Sequence, residues 1–362
     1  MKKSYAIKVP IKYAQEFKLI INKMNIRNNE CKLKKDKQFI YYPIKNFENK
    51  NKIVTKKNLK IKINNFNIIL DEFEEYEKKI KTYKENLDLP NNLKKYLPTS
   101  YDIIGNIVLI KLPDELIEHK KNIGESILKS KKNIETICLV KSIEGELRTR
   151  NMEIISGKKQ TKTIHKEFGL EFYVDVKDTY FSPRLANERK RIARLVKPGE
   201  TIVDMFTGVA PFAVMVAKYS KAKIIYAVDK NKKAISLAQQ NIKINKVVDK
   251  ITLFNDDSKN ICKILEKEKK VADRIIMNLP FSAHEFFTYA LDIISKNCVI
   301  HYYTIIKEDE IENTIKNLKK IAKIKNVNIT SYNINKIKSY SPREFYMGID
   351  ITVKKSKFAD VA

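Results

Sequence analysis

Four polar residues stand where short apolar runs give way to turns. Asp204 ends the first run, Ile202–Phe206; Asp229 follows Ile224–Val228; Asp257 follows Ile251–Phe254; and Asn278, with Pro280 close behind, follows Ile275–Met277. A carboxylate in the place of Asp229 can accept both hydroxyls of a ribose. The single glycine of DMFTGVAPF, Gly208, lets backbone amides approach a ligand at the start of a helix expected to open near Pro211. This is a set of residues for holding a nucleoside.

The elements that must position them follow from periodicity. Apolar runs of this length read as buried parallel strands, and NKKAISLAQQNIKINK between two of them carries a helical stripe at Ala234, Leu237, Ala238, Ile242 and Ile244. The alternation predicts a doubly wound α/β sheet, with its ligand beyond the carboxyl ends of the strands. The loop lacks G-x-G-x-x-G, which disfavours NAD and FAD, and the chain lacks the phosphate-loop pattern G-x-x-x-x-G-K-[ST]. An acid after the second strand suits a dinucleotide or S-adenosylmethionine alike.

DMFTGVAPF and NLPFSAHEF resemble the cofactor loop and fourth-strand motif of class I S-adenosylmethionine-dependent methyltransferases. With SPRLANER, IHYYT and SYSPREFYMGID, in that family's order from about Tyr101 to Val353, they resemble the archaeal and eukaryotic tRNA (guanine-37-N1)-methyltransferases. The resemblance implies a Rossmann-like domain with a seven-stranded, mostly parallel sheet, preceded by two smaller α+β modules. It implies S-adenosylmethionine held by Asp204, Phe206, Gly208, Val209, Asp229, Asp257, Asn278 and Pro280. Glu188 falls on the family's catalytic glutamate, and Arg148 on the arginine directed at O6 of the target guanine. Tyr180, Arg184, Arg189, Pro280 and Phe281 are the implied substrate contacts, with no metal. Ordinary alternatives stand beside these roles: a core tyrosine for Tyr180, solvated arginines at 148 and 150, and i,i+3 ion pairing on an exposed face for Glu188.

The chemistry explains the residue types. Guanine N1 carries a proton and is a poor nucleophile, so a base must remove that proton as methyl arrives. Negative charge then develops toward O6, where Arg148 would stabilise it, while Asn278 holds the Watson–Crick edge. The base must first leave its stack, at a cost of a few kcal/mol that aromatic surface at Tyr180 and Phe281 can offset. No cysteine follows proline, against cytosine-C5 chemistry, and Leu279 interrupts the N-P-P-Y pattern of N6-adenine enzymes. Relatives that also methylate a tricyclic wyosine intermediate, or transfer an aminocarboxypropyl group to it, share the resemblance, and a basic RNA-binding protein with a vestigial cofactor fold is the rival outside enzymes. The departures are Ala210, where the cofactor loop often has glycine, and Ala186-Asn187.

Composition points the same way. Lysine and arginine total 72 against 43 acids, a formal charge of +29 in 362 residues, which favours a polyanionic partner. The four cysteines and four histidines are scattered, without metal-ligand spacing or a disulfide framework. No apolar run approaches the length of a membrane span, so a cytoplasmic monomer acting on tRNA is the expectation. Residues 1–71 read as a small α+β module docking on the tRNA body, with an exposed Lys/Asn-rich loop from Phe47 to Lys62. Residues 72–99 read as a helix and Pro-ended linker, 100–177 as an α+β RNA-binding module, and 178–362 as the catalytic domain.

Overall fold

The computed structural model describes residues 1–45, 66–76, 82–144 and 149–356, in two compact units, Met1–Lys81 and Thr82–Ala362. The expected loop from Phe47 to Lys62 falls wholly outside the described residues, and Arg148 outside them too. No described helix is long and apolar enough to cross a membrane.

In the first unit, β1 (Lys2–Pro10) pairs antiparallel with both β3 (Phe39–Ile44) and β4 (Asn67–Phe73), and β2 (Lys34–Lys35) lies outside β3. Alternation along β1 sends Ile7 and Val9 toward helix α1 (Ala14–Lys23), which answers with Phe17 and Ile21; Ala6 meets Cys31, Tyr41 and Phe73 on the other face.

The second unit begins earlier than a linker ending at residue 99 allows. Tyr83, Leu87, Leu89 and Leu97 are buried against Val108, Ile110 and Ile123. The charges of this stretch made it look like a connector, but its leucines anchor it to the sheet β5 (Asp102–Ile104), β6 (Ile107–Ile110), β7 (Thr136–Glu144), β8 (Thr149–Gly157), paired in that order. Helix α2 (Lys120–Ser130) covers this sheet at Gly124, where an added Cβ would lie 2.8 Å from the Ser156 side chain.

The hairpin β9 (Lys162–Glu167) and β10 (Leu170–Asp175), expected within the RNA-binding module, bonds that module at Gly105 and Asn106 and also packs on the catalytic layers through Leu170, Phe172 and Val174. Two asparagines, one in the helix Lys232–Ile244 and one capping its end, extend the hairpin's hydrogen bonding: Asn241 exchanges bonds with Tyr173 N and O (2.6 and 3.1 Å), and Asn245 with Glu171 N and O (3.0 and 2.7 Å). They satisfy an edge strand that has no further strand beside it.

The catalytic sheet is seven-stranded and mostly parallel: β11 (Thr201–Asp204), β12 (Ile224–Val228), β13 (Ile251–Phe254), β14 (Ala272–Met277), β15 (Ile294–Lys307), β16 (Val327–Ser339) and β17 (Glu344–Lys355), in the order 13-12-11-14-15-17-16. Only β17 runs antiparallel to its neighbours. Helices α3 (Ala186–Leu195), α4 (Pro211–Tyr219) and α5 (Lys232–Ile244) bury one face, and α6 (Ser258–Lys267), α7 (Ala283–Asp292) and α8 (Ile311–Ile324) the other. The strand order reverses between β11 and β14, which is where a crevice opens in such sheets.

Candidate active site

At the exit of β11 the chain stays tied to the sheet, with Met205 N donating to Ile276 O (3.0 Å) and Thr207 N to Val228 O (2.8 Å). Gly208, at φ +56°, turns its N–H onto Asp229 Oδ2 (2.7 Å), and Asn231 N reaches Oδ1 (2.9 Å). Burial raises the Asp229 carboxyl above its ordinary value. Each carboxylate oxygen retains a lone pair for a ligand hydroxyl. Ala210 follows at φ +65°, a left-handed conformation in which its Cβ costs about 1 kcal/mol. The glycine common at that position in the resembled family is therefore a conformational matter.

Asp257 caps α6 by accepting from Lys259 N (2.8 Å), and Asn278 Oδ1 accepts from the Tyr346 hydroxyl, which leaves the Asn278 Nδ2 donors for a ligand. Around these groups lies a cavity of about 350 Å³, inside the range of small-molecule sites. Of the residues expected from sequence, Tyr180, Arg189, Phe206, Gly208, Asp229, Asp257, Asn278 and Phe281 line it. Phe206 meets Phe286 edge-on at 4.8 Å, an apolar wall, and Asp256, Lys230, Lys259 and Glu285 bring charge to the lining. Sequence reasoning did not single these out, though Asp256 stands beside Asp257 in NDDS.

The other expected residues among those described do not line the cavity. Asp204 is buried behind the loop, where it accepts from Thr207 Oγ1 (2.8 Å) while its Oδ1 has no partner among the described residues; burial pushes its carboxyl up to about 7. Val209 is core, and Pro280 is buried with its carbonyl accepting from Ile305 N (3.3 Å). Arg184 reaches out to Asp102 (2.6 Å).

Two consecutive residues of α3 are buried in different directions. Arg189, 1 % exposed, gives two bonds to Glu167 (Nε–Oε2 2.9 Å) and one to Ser182 O (3.1 Å), with its guanidinium over Phe181. Burial alone would raise the Glu167 carboxyl, yet His165 and Arg189 hold it below its ordinary value. Arg189 thus lines the cavity with its Nε and Nη2 donors committed to Glu167 and Ser182.

Glu188, 6 % exposed, faces β15 and β17 instead: Tyr303 Oη donates to Oε1 (2.8 Å), and Arg191 gives bonds of 2.7 Å to each carboxylate oxygen. Burial keeps the Tyr303 phenol well above its ordinary value, so it remains a donor. The i,i+3 pair with Arg191 is present, but within the protein rather than on the exposed face that spacing alone suggests. Gly348 makes room for it, since an added Cβ there would lie 3.1 Å from Tyr303 Cε1 and 3.5 Å from Glu188 Oε1. Asn278 and Glu188 are linked through the tyrosines 346 and 303, which bond one each and whose rings are tilted at 43° with centroids 6.0 Å apart.

Family models match along the chain: the tRNA methyltransferase 5 N-terminal domain over residues 6–51, the TYW2 N-terminal domain over 83–161, and the TRM5/TYW2 methyltransferase domain over 163–330. The tRNA (guanine(37)-N(1))-methyltransferase Trm5b of Pyrococcus abyssi is 36 % identical over 96 % of this chain and 98 % of its own, and its crystal structure matches with a TM-score of 0.75. A complex of aTrm5 and tRNALeu matches at 0.78, with 32 % identity over 97 % of this chain and 99 % of that one. The tRNA(Phe) (4-demethylwyosine(37)-C(7)) aminocarboxypropyltransferase of Pyrococcus horikoshii is 33 % identical over 74 % of this chain and 94 % of its own. Nearly full-length identity above 30 %, carried through all three modules, means that the chain belongs to the tRNA (guanine-37-N1)-methyltransferase family.

Proposed function

We propose that this protein methylates N1 of guanosine 37 in tRNA, with S-adenosylmethionine as donor. The observation that carries the reading is the cavity at the strand exits, where Asp229, Asp257 and Asn278 converge beside aromatic walls. Phe206, Gly208, Asp229, Asp257 and Asn278 would hold the donor, whose sulfonium supplies an electrophilic methyl group when bound. Asp229 takes the ribose hydroxyls on its remaining lone pairs, and the backbone from Phe206 to Gly208 gives a close, rigid approach.

Asn278, its Oδ1 turned to Tyr346, presents Nδ2 to the acceptor edge of the guanine, and Tyr180 and Phe281 offer ring surface to the extruded base. Glu188 receives the N1 proton, and the N1 electron pair thus released forms the new N–C bond as the sulfur retains the pair of the bond that breaks. Arg148 stabilises charge on O6. The matched N-terminal domain favours methyl transfer over aminocarboxypropyl transfer, whose Pyrococcus horikoshii relative spans 74 % of this chain. The excess of basic side chains serves the tRNA backbone, and the protein acts as a monomer in the cytoplasm.

Titration calorimetry with S-adenosylmethionine tests the cofactor half of the reading. Saturable heat in the parent protein, weakened at least 10-fold by Asp229→Ala, is expected. No heat in the folded parent protein would favour a basic RNA-binding protein over an enzyme.

A further inference from the structure

Beyond Glu188 runs a line of buried and half-buried charges to which the reaction as read assigns no task. Arg191, besides its two bonds to Glu188, gives two to Asp350 (Nη1–Oδ2 2.6 Å, Nη2–Oδ1 3.0 Å). Asp350 also meets His301 Nδ1 (2.6 Å) and accepts from Asn335 (3.2 Å). His301 Nε2 lies 2.7 Å from Arg274 Nη1, and Arg274 is paired with Glu200 (2.8 and 3.1 Å) and with Leu195 O (2.9 Å). An arginine only donates, so His301 Nε2 accepts and its Nδ1–H points to Asp350. His301 is wholly buried, and burial lowers its pKa, so the ring is neutral. Burial would raise Asp350, but His301 and Arg191 outweigh it and keep the carboxylate ionised.

The charges do not balance. Three carboxylates, Glu188, Asp350 and Glu200, stand against two guanidiniums, Arg191 and Arg274, a sum of −1, with His301 and Tyr303 neutral. Glu200 has Arg274 beside it. Glu188 and Asp350 must share Arg191, the one place in the line where two carboxylates depend on one cation. Surplus charge among groups so largely withdrawn from water is costly, and a single proton at Glu188 removes it.

We propose that Arg191 and Asp350 are the positioning pair of the reaction: Arg191 holds Glu188 oriented at rest, and Asp350 retains the guanidinium when Glu188 takes the N1 proton. The inference rests on the reading of Glu188 as the base. The proton leaves guanine N1 and ends on a Glu188 oxygen; Arg191 stays a cation, His301 keeps its Nδ1 proton, and each arginine is left with one carboxylate. Nothing else in the line moves a proton.

The test is the single-turnover rate of methyl transfer to a tRNA transcript bearing guanosine 37, from about pH 5.5 to 9, with donor and tRNA affinities measured separately. Glu188→Gln loses at least 100-fold throughout. Asp350→Asn leaves Arg191 to Glu188 alone, so the plateau falls about 10-fold and the acid limb moves to lower pH, with both affinities within 2-fold of the parent. Asp350→Glu restores part of the rate, which a general loss of packing does not explain. If Asp350→Asn fails to fold by circular dichroism, Arg191→Lys replaces it, since an ammonium cannot give both carboxylates paired bonds, and the same drop is expected. A parental plateau and limb in Asp350→Asn, or in Arg191→Lys, beside a crippled Glu188→Gln overturns the proposal while sparing the base. A full rate in Glu188→Gln overturns both.

Discussion

Glu188 and Arg189 are neighbours in sequence, equally buried, and set in opposite kinds of surroundings. Arg189 meets one carboxylate, a backbone carbonyl and two aromatic rings, and the arrangement closes on itself: His165 Nε2 lies 3.4 Å from Glu167, while His165 Nδ1 accepts from Gly105 N at 3.1 Å. One cation faces one anion, and the β5–β6 turn of the preceding module is pinned to it. Glu188 faces an arginine that another carboxylate shares. A buried pair that balances holds architecture; a buried cluster one proton short of balance is suited to chemistry. Adjacent positions on one helix thus stand in different company, Arg189 bracing the cavity and Glu188 carrying the proposed role of base.

The contrast yields predictions of decreasing size. Glu167→Ala strands a buried guanidinium and is expected to cost about 3–5 kcal/mol in urea unfolding, whatever the pH of the rate assay. A cost below about 1 kcal/mol would remove Arg189 from the architecture. Gly348→Ala presses a methyl group on Tyr303 and Glu188, so about 1–3 kcal/mol of stability is lost and the methyl-transfer rate falls with it. Loss of stability without loss of rate would separate Tyr303 from the base.

Asp204 supplies a pH test away from both. Its folded carboxyl titrates near 7 against an ordinary 3.8, so the folded protein keeps a proton that the unfolded chain gives up; its contribution to stability is present in acid and is lost as pH rises from about 4 to 7. Melting temperatures of Asp204→Asn across that window should fall less with rising pH than those of the parent, and parallel curves would refute the assignment. Smallest is Ala210→Gly, which relieves a left-handed alanine and should gain about 1 kcal/mol in the same unfolding assay.

Much of the fold was legible because the catalytic strands are short apolar runs with turn residues at their ends. Asp229, Asp257 and Asn278 could be placed at strand exits, and the structure brings them to one cavity. The stretch from Tyr83 to Leu97 was misread because three leucines and a tyrosine among charges give little periodicity, although burial decides their place. That the hairpin at 162–175 also packs on the catalytic layers was hidden because its asparagine partners lie some 70 positions away. Asp204 has the residue type of a ligand contact and the burial of a loop support, a difference that spacing does not carry. The line from Glu188 to Glu200 was invisible, for it joins α3, β14, β15 and β17 through contacts up to 159 positions apart.

The most direct measurement is methyl transfer from labelled S-adenosylmethionine to two unmodified tRNA transcripts, one with guanosine and one with adenosine at position 37, followed by nucleoside mass spectrometry. 1-Methylguanosine from the first transcript alone is the predicted result. Methylation of both, of neither, or at another atom of the guanine would contradict the assignment of reaction and position.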